Sequence, residues 1–295
     1  MRYFLENEEL KVEIDSHGAE LKSVLDKRNY REYMWYGNGK FWGRTSPVLF
    51  PFVGSLKGKA FRYGGREYSM GQHGFARDME HKPVRQTECE LWFALESDET
   101  TLQKYPFFFR LSIGYELSGR DLCVKWKVEN TGDKTMYFSI GAHPAFLCPV
   151  HGEGSKAGYA LYFEGADAIH HHGNTLDTGL ALREALVLPL KEHCVEITDS
   201  FFDRCTYMVE GKQTGKVGIR DPKGQPVVDV IFDAPLLAIW SPEGKNAPFL
   251  CIEPWYGRCD AEDFAGELAD RAYTNVLQAG QIFEAQYAIT YHAIG

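Results

Sequence analysis

Leu122-Cys123-Val124-Lys125-Trp126-Lys127-Val128-Glu129 is the stretch on which the fold reading turns. Side chains of a strand point to opposite faces in turn. After Leu122 the pattern is strict: Val124, Trp126 and Val128 face one way, Lys125, Lys127 and Glu129 the other. That period of two predicts a half-buried strand. Phe109–Leu117 precedes it across Ser118-Gly119-Arg120-Asp121, a turn sequence, so the two runs read as a hairpin.

The same grammar extends outward. Phe283–Tyr291 alternates at the C-terminal end, and Val217–Arg220 and Pro226–Phe232 flank the turn Asp221-Pro222-Lys223-Gly224. Near the start, Arg2–Leu5, Leu10–Ile14 and Ala19–Leu25 are short β-leaning runs separated by Asn7-Glu8 and Ser16-His17-Gly18. Phe61-Arg62-Tyr63 and Arg66-Glu67-Tyr68 bracket Gly64-Gly65, a hairpin signature. No long stretch sustains a 3.6-residue period; Ala261–Ala272 and Asp199–Tyr207 are read as short helices. Many short strands with turn chemistry between them predict an all-β protein, a large antiparallel β-sandwich with few short helices. With no linker, repeat or low-complexity segment, residues 1–295 are read as one domain.

Composition narrows the partners. A formal net charge of −9 argues against nucleic acid and anionic membrane surfaces, which select basic proteins. No run approaches the ~18 apolar residues of a membrane span. Seven scattered cysteines, without a CxxC pair, make neither a disulfide framework nor a zinc ribbon. Met1 is followed by no signal-peptide hydrophobic region, and the expected compartment is the cytoplasm.

Four stretches lodge polar residues among apolar, Gly or Pro neighbours: Trp42–Gly54 (WGRTSPVLFPFVG), Gln72–Asp78 (QHGFARD), Gly141–Phe146 (GAHPAF) and Cys251–Gly257 (CIEPWYG). His143 and Glu253 each precede a proline, which disfavours the α region and restricts the backbone to extended forms. Taken singly, each has an ordinary reading. His143 reads as a hydrogen-bonded core histidine, Glu253 as a solvated carboxylate at a strand end, His73 as structural, and Arg44 and Arg77 as surface ion-pair partners. Together they supply an acid, a base and anchors for hydroxyls or an anion. No GxSxG, P-loop or GxGxxG is present. His170-His171-His172 is read as a solvated loop before Gly173-Asn174 rather than a metal site, because neighbours in an extended chain diverge.

In that order, WGRTSPVLFPFVG, QHGFARD, GAHPAF and CIEPWYG resemble the aldose 1-epimerase (mutarotase) superfamily, in particular its LacX-like branch. The resemblance runs from the SHGAELKSV opening to the C-terminal strand. It implies a β-sandwich with an open sugar-binding cleft, with His143 as general acid, Glu253 as general base, and His73 and Arg44 on the substrate. Arg77 falls in the HGFAR segment shared with relatives that act on sugar phosphates. Galactose mutarotases carry Asn-Arg where this chain has Gly43-Arg44, and an aspartate in a DHxF segment that reads hydroxyls. Asp203, in Phe202-Asp203-Arg204, is the nearest substitute.

The implied chemistry is mutarotation. A base takes the anomeric hydroxyl proton, an acid protonates the ring oxygen, C1–C2 rotates in the open aldehyde, and the ring recloses on the other face. An acid and a base are worth ~10²–10⁴-fold apiece. In this reading His143 starts protonated and Glu253 ionised, with no metal or cofactor. The expected partner is a small-molecule sugar. Two alternatives stay open: a hexose 6-phosphate substrate held by Arg44 and Arg77, and a non-catalytic sugar-binding protein on the same fold.

Overall fold

The computed structural model describes residues 1–204 and 206–294; Cys205, and with it one position of the Asp199–Tyr207 segment, lies outside the described residues. Asp121–Asn130 sits inside a nine-stranded antiparallel sheet. It pairs in register with Phe109–Ser118 from Phe109↔Asn130 to Ser118↔Asp121, and on its other edge with Ile282–Tyr291. Val124, Trp126 and Val128 are at most 1% exposed, whereas Lys125, Lys127 and Glu129 remain half-buried. Each fully buried side chain of this kind contributes about 1.5–3 kcal/mol, so a one-residue slip would forfeit the whole row.

A second antiparallel sheet of eight strands supplies the other layer. Its middle is Leu236–Trp240 beside Phe249–Tyr256, and the latter is flanked by Ile140–Ala142 and Ala145–Leu147. The layers meet face to face: the rings of Trp126 and Tyr256 lie 6.3 Å apart, edge to face. Leu237, Ile239, Leu250 and Ile252 join the same core as Val124 and Trp126. By the period of two, Ala238, Trp240, Cys251, Glu253 and Trp255 point away from that core. That outward face is where the cleft lies.

The N-terminal runs form a four-stranded sheet, Arg2–Glu6, Leu10–Asp15, Glu20–Asp26 and Arg31–Glu32. The Gly64-Gly65 hairpin is present, with both glycines at positive φ as its two-residue turn requires.

Three expectations are corrected. His170–His172 are not in a loop but in the strand Ala168–Asn174, with His171 buried against Tyr207. A strand alternates its side chains, so His171 turns inward while His170 is exposed. Ala261–Ala272 holds only the 3-10 turn Leu268–Asp270, and the described part of 199–206 is turns and bends. Both segments are too short to nucleate a helix without a packed apolar face. The one α-helix among the described residues, Glu99–Lys104, went unread; its signal was the Asp98-x-x-Thr101 capping box rather than any periodicity.

Candidate active site

The cleft floor is built at a lapse in strand pairing. Along Phe249–Tyr256 the register runs Ile140↔Tyr256 and Gly141↔Trp255, then resumes at Ala145↔Cys251. His143 and Pro144 occupy the interval, where the same register sets them opposite Glu253 and Ile252. Proline donates no N–H and is tolerated in a sheet where the ladder is interrupted. Glu253 therefore lies inside a strand, not at a strand end, and is 1% exposed.

His143 Nε2 stands 3.4 Å from Glu253 Oε2. Glu253 Oε2 and His143 Nδ1 are both buried without a hydrogen-bond partner. Burial raises the Glu253 carboxyl well above its ordinary range, with only partial relief from the Trp255 indole. Burial, with Arg77 and then Arg44 adding to it, lowers the His143 imidazole to about 3. Burial thus disfavours the charged form of each partner, and with it the ion pair. This runs against the starting state expected from the sequence, because desolvation penalises both ions.

Aromatic rings fix the histidine. Trp42 stacks on it at 4.7 Å, and Trp240 meets it edge-on at 5.4 Å. The Trp35 indole donates to the Trp42 carbonyl at 2.8 Å, which holds the stacking residue in place.

His73 is the third ring, 5.5 Å from His143 and edge to face. Its amide donates to the Gly54 carbonyl at 2.9 Å, and the Gly54 amide donates to His73 Nδ1 at 3.0 Å. Nδ1 as acceptor leaves the ring proton on Nε2. Burial, then His143, Arg77 and Arg44, keep this ring neutral. Gly74 makes the approach possible: at φ +70°, a Cβ there would lie 2.3 Å from the Phe50 carbonyl oxygen. The HG pair is thereby stitched to the Phe50–Gly54 segment.

The two arginines part company. Arg77 lines the cleft, donates through Nη2 to the Gln72 carbonyl at 2.7 Å, and keeps a buried Nε without a hydrogen-bond partner. Burial lowers it to about 10, still a cation at neutral pH. Arg44 does not line the cleft; its Nη2 donates to Asp78. Its segment is held by Glu20, whose carboxylate accepts from the Thr45 and Ser46 amides at 2.7 and 2.9 Å. Gly18 of the SHGAEL opening backs onto Arg77, where a Cβ would sit 2.7 Å from the carbonyl oxygen. Asp203 is exposed and outside the cleft.

The cleft encloses about 820 Å³. Sequence reasoning missed several of its lining residues, among them Trp240, Asn174, Thr206 and Glu243. Asn174 accepts from the Thr206 amide at 2.7 Å, and Trp240 donates to Glu243 at 3.2 Å. None of them sits in an unusual local sequence, so no local signal marked them. Cys251 was also passed over. One donor atom each from His143, Cys251 and Glu253 lies within 4.8 Å of the others, the group among the described residues able to hold a metal ion.

The fold has counterparts. A galactose mutarotase related enzyme from Lactobacillus acidophilus superposes with a TM-score of 0.92 at 34% identity, over 99% of this chain and 98% of that one. A galactose mutarotase-like protein from Lactobacillus casei gives 0.91 at 29%, over 99% and 100%. The chromosomal protein LacX of Lactococcus lactis subsp. lactis is 29% identical over 295 residues, covering 97% of this chain and 98% of LacX. The model of the aldose 1-epimerase family matches residues 1–277, and the chain belongs to that family.

Proposed function

We propose that this protein interconverts the α and β anomers of a free aldose by general acid–base ring opening at C1. The observation that carries the reading is the 3.4 Å approach of His143 Nε2 to Glu253 Oε2 on the cleft floor, each group also holding a buried, unpartnered polar atom. The two oxygens that exchange protons in mutarotation are bonded to one carbon. A proton donor and acceptor side by side match that demand.

His143 delivers a proton to the ring oxygen while Glu253 takes the anomeric hydroxyl's. Burial alone opposes the charged form of either group. Sugar oxygens against both groups replace the missing solvation, and the ion pair is reached by moving one proton between adjacent atoms. Ring closure runs the same transfers backward. His73 offers Nε2–H to a sugar hydroxyl, and Arg77 flanks the pair. With Arg44 engaged by Asp78, the cleft lacks one of the two arginines that a phosphate dianion would need, which favours the uncharged sugar. Family membership and relatives named for galactose mutarotase support the same class of reaction.

Anomer-exchange NMR across free and phosphorylated aldoses tests this. Acceleration with a free aldose is the expected result. Acceleration with hexose 6-phosphates alone would transfer the reading to phosphorylated sugars. Sugar binding without acceleration would make the protein a binding module.

A further inference from the structure

Cys251 has no part in the chemistry just described, yet it lies two residues before Glu253 on the same face of one strand. The thiol is fully buried beside the paired acid and base of the cleft floor. The geometry points to a capture site for a soft divalent cation, Zn²⁺ by chemical class, formed by His143, Cys251 and Glu253, whose occupation blocks the cleft floor.

The donor set is imidazole, thiolate and carboxylate, a combination that zinc accepts. Tetrahedral zinc takes N and O at about 2.0–2.1 Å and S at about 2.3 Å, which spaces its ligands roughly 3.3–3.7 Å apart. His143 Nε2 and Glu253 Oε2 already stand at 3.4 Å, and all three donors fall within 4.8 Å of one another. From within 4.8 Å to the tetrahedral spacing is a closure of about 1 Å at most. Glu253 Oε2 is buried with no partner, an acceptor with a free lone pair aimed at the site. His143 and Glu253 line the cleft, so an ion has a route in. Binding releases the thiol proton and the proton shared by the His143–Glu253 pair to solvent. The ion then occupies the atoms proposed to exchange protons with the sugar. Inhibition therefore rests on the proposed function, whereas binding does not.

Two readouts keep those apart. Cd²⁺ titration of the full chain reads the ultraviolet thiolate-to-metal band, and Zn²⁺ titration is followed by calorimetry and by anomer exchange. The difference between the parent and Cys251→Ser cancels the other six cysteines, and Cys251→Ala serves if the serine variant folds poorly. We expect one Cys251-dependent band per chain. We also expect one-to-one zinc inhibition that EDTA reverses, and at least a tenfold higher zinc concentration for half-inhibition in the Cys251 variants, whose activity without metal is unchanged. Absence of a Cys251-dependent band overturns the site. Equal zinc sensitivity of parent and variants, or activation by zinc, overturns the blocking role. If the parent lacks mutarotase activity, the band and the heat of binding still decide the site, and only the function falls.

Discussion

The Gly54 amide donates to Nδ1 of His73 at 3.0 Å while His73's own amide donates back to the Gly54 carbonyl at 2.9 Å. This reciprocal pair settles the tautomer of a ring that lines the cleft. His73 can only present Nε2–H to a ligand, and burial keeps it uncharged. It is a hydrogen-bond donor of fixed direction rather than a proton carrier.

Replacing His73 by Asn should therefore weaken sugar binding at least as much as it slows turnover. Titration of affinity alongside anomer exchange checks this. A variant with parental affinity and a collapsed rate would make His73 a proton-transfer group instead.

His143→Asn should abolish ring opening while leaving sugar binding nearly intact. Asparagine still donates a hydrogen bond to the closed ring but delivers no proton, so the loss falls on the transition state. Thermal stability, affinity and exchange on one preparation decide the matter. A destabilised variant whose folded fraction stays active would return His143 to a packing role between Trp42 and Trp240.

Glu253→Gln keeps the shape and removes the titrating oxygen. The expected loss is about 10²-fold or more in turnover, with the fold retained. The buried carboxyl is already favoured in its uncharged form, so the amide costs little in stability. Turnover within about threefold of the parent would refute its role as base.

The triple histidine should be silent in catalysis and unequal in stability. His170→Ala, on an exposed strand face, should change neither melting temperature nor exchange rate. His171→Ala removes a buried ring 4.7 Å from Tyr207 and should cost about 1–3 kcal/mol with activity of the folded protein preserved. EDTA should not lower the rate. A chelator-induced loss restored by zinc would mean that catalysis uses a metal.

Acid should destabilise the fold through its neutral buried histidines. Burial is the main cause that lowers His81 to about 4, although its Nε2 lies 3.0 Å from the Ala76 carbonyl oxygen. Between pH 6.5 and about 4 the unfolded chain binds a proton there that the folded chain does not. Stability is present above 6.5 and is lost as pH falls, by up to ~1.4 kcal/mol per pH unit inside that window. His81→Gln should flatten that slope in denaturant melts at pH 7 and 5. An unchanged slope would assign the acid sensitivity to other groups.

Alternation from Leu122 to Glu129 determined the half-buried strand, because period-two burial is a property of the local chain. The same holds for the hairpins at 61–68 and 109–130 and for the antiparallel class. The motif residues His73, Arg77, His143 and Glu253 were legible for a similar reason: each breaks local strand grammar with a neighbouring Gly, Pro or polar residue. Tertiary structure alone decided what those residues face. The lapse between Gly141↔Trp255 and Ala145↔Cys251 brings His143 onto Glu253 across 110 positions of sequence, and no local pattern encodes that separation. It turned Arg44 to Asp78, buried His171 within a strand, and disfavoured the charged forms of His143 and Glu253 by removing water from both. Desolvation and cross-strand register are sums over distant residues, and they exist only once the two sheets have closed.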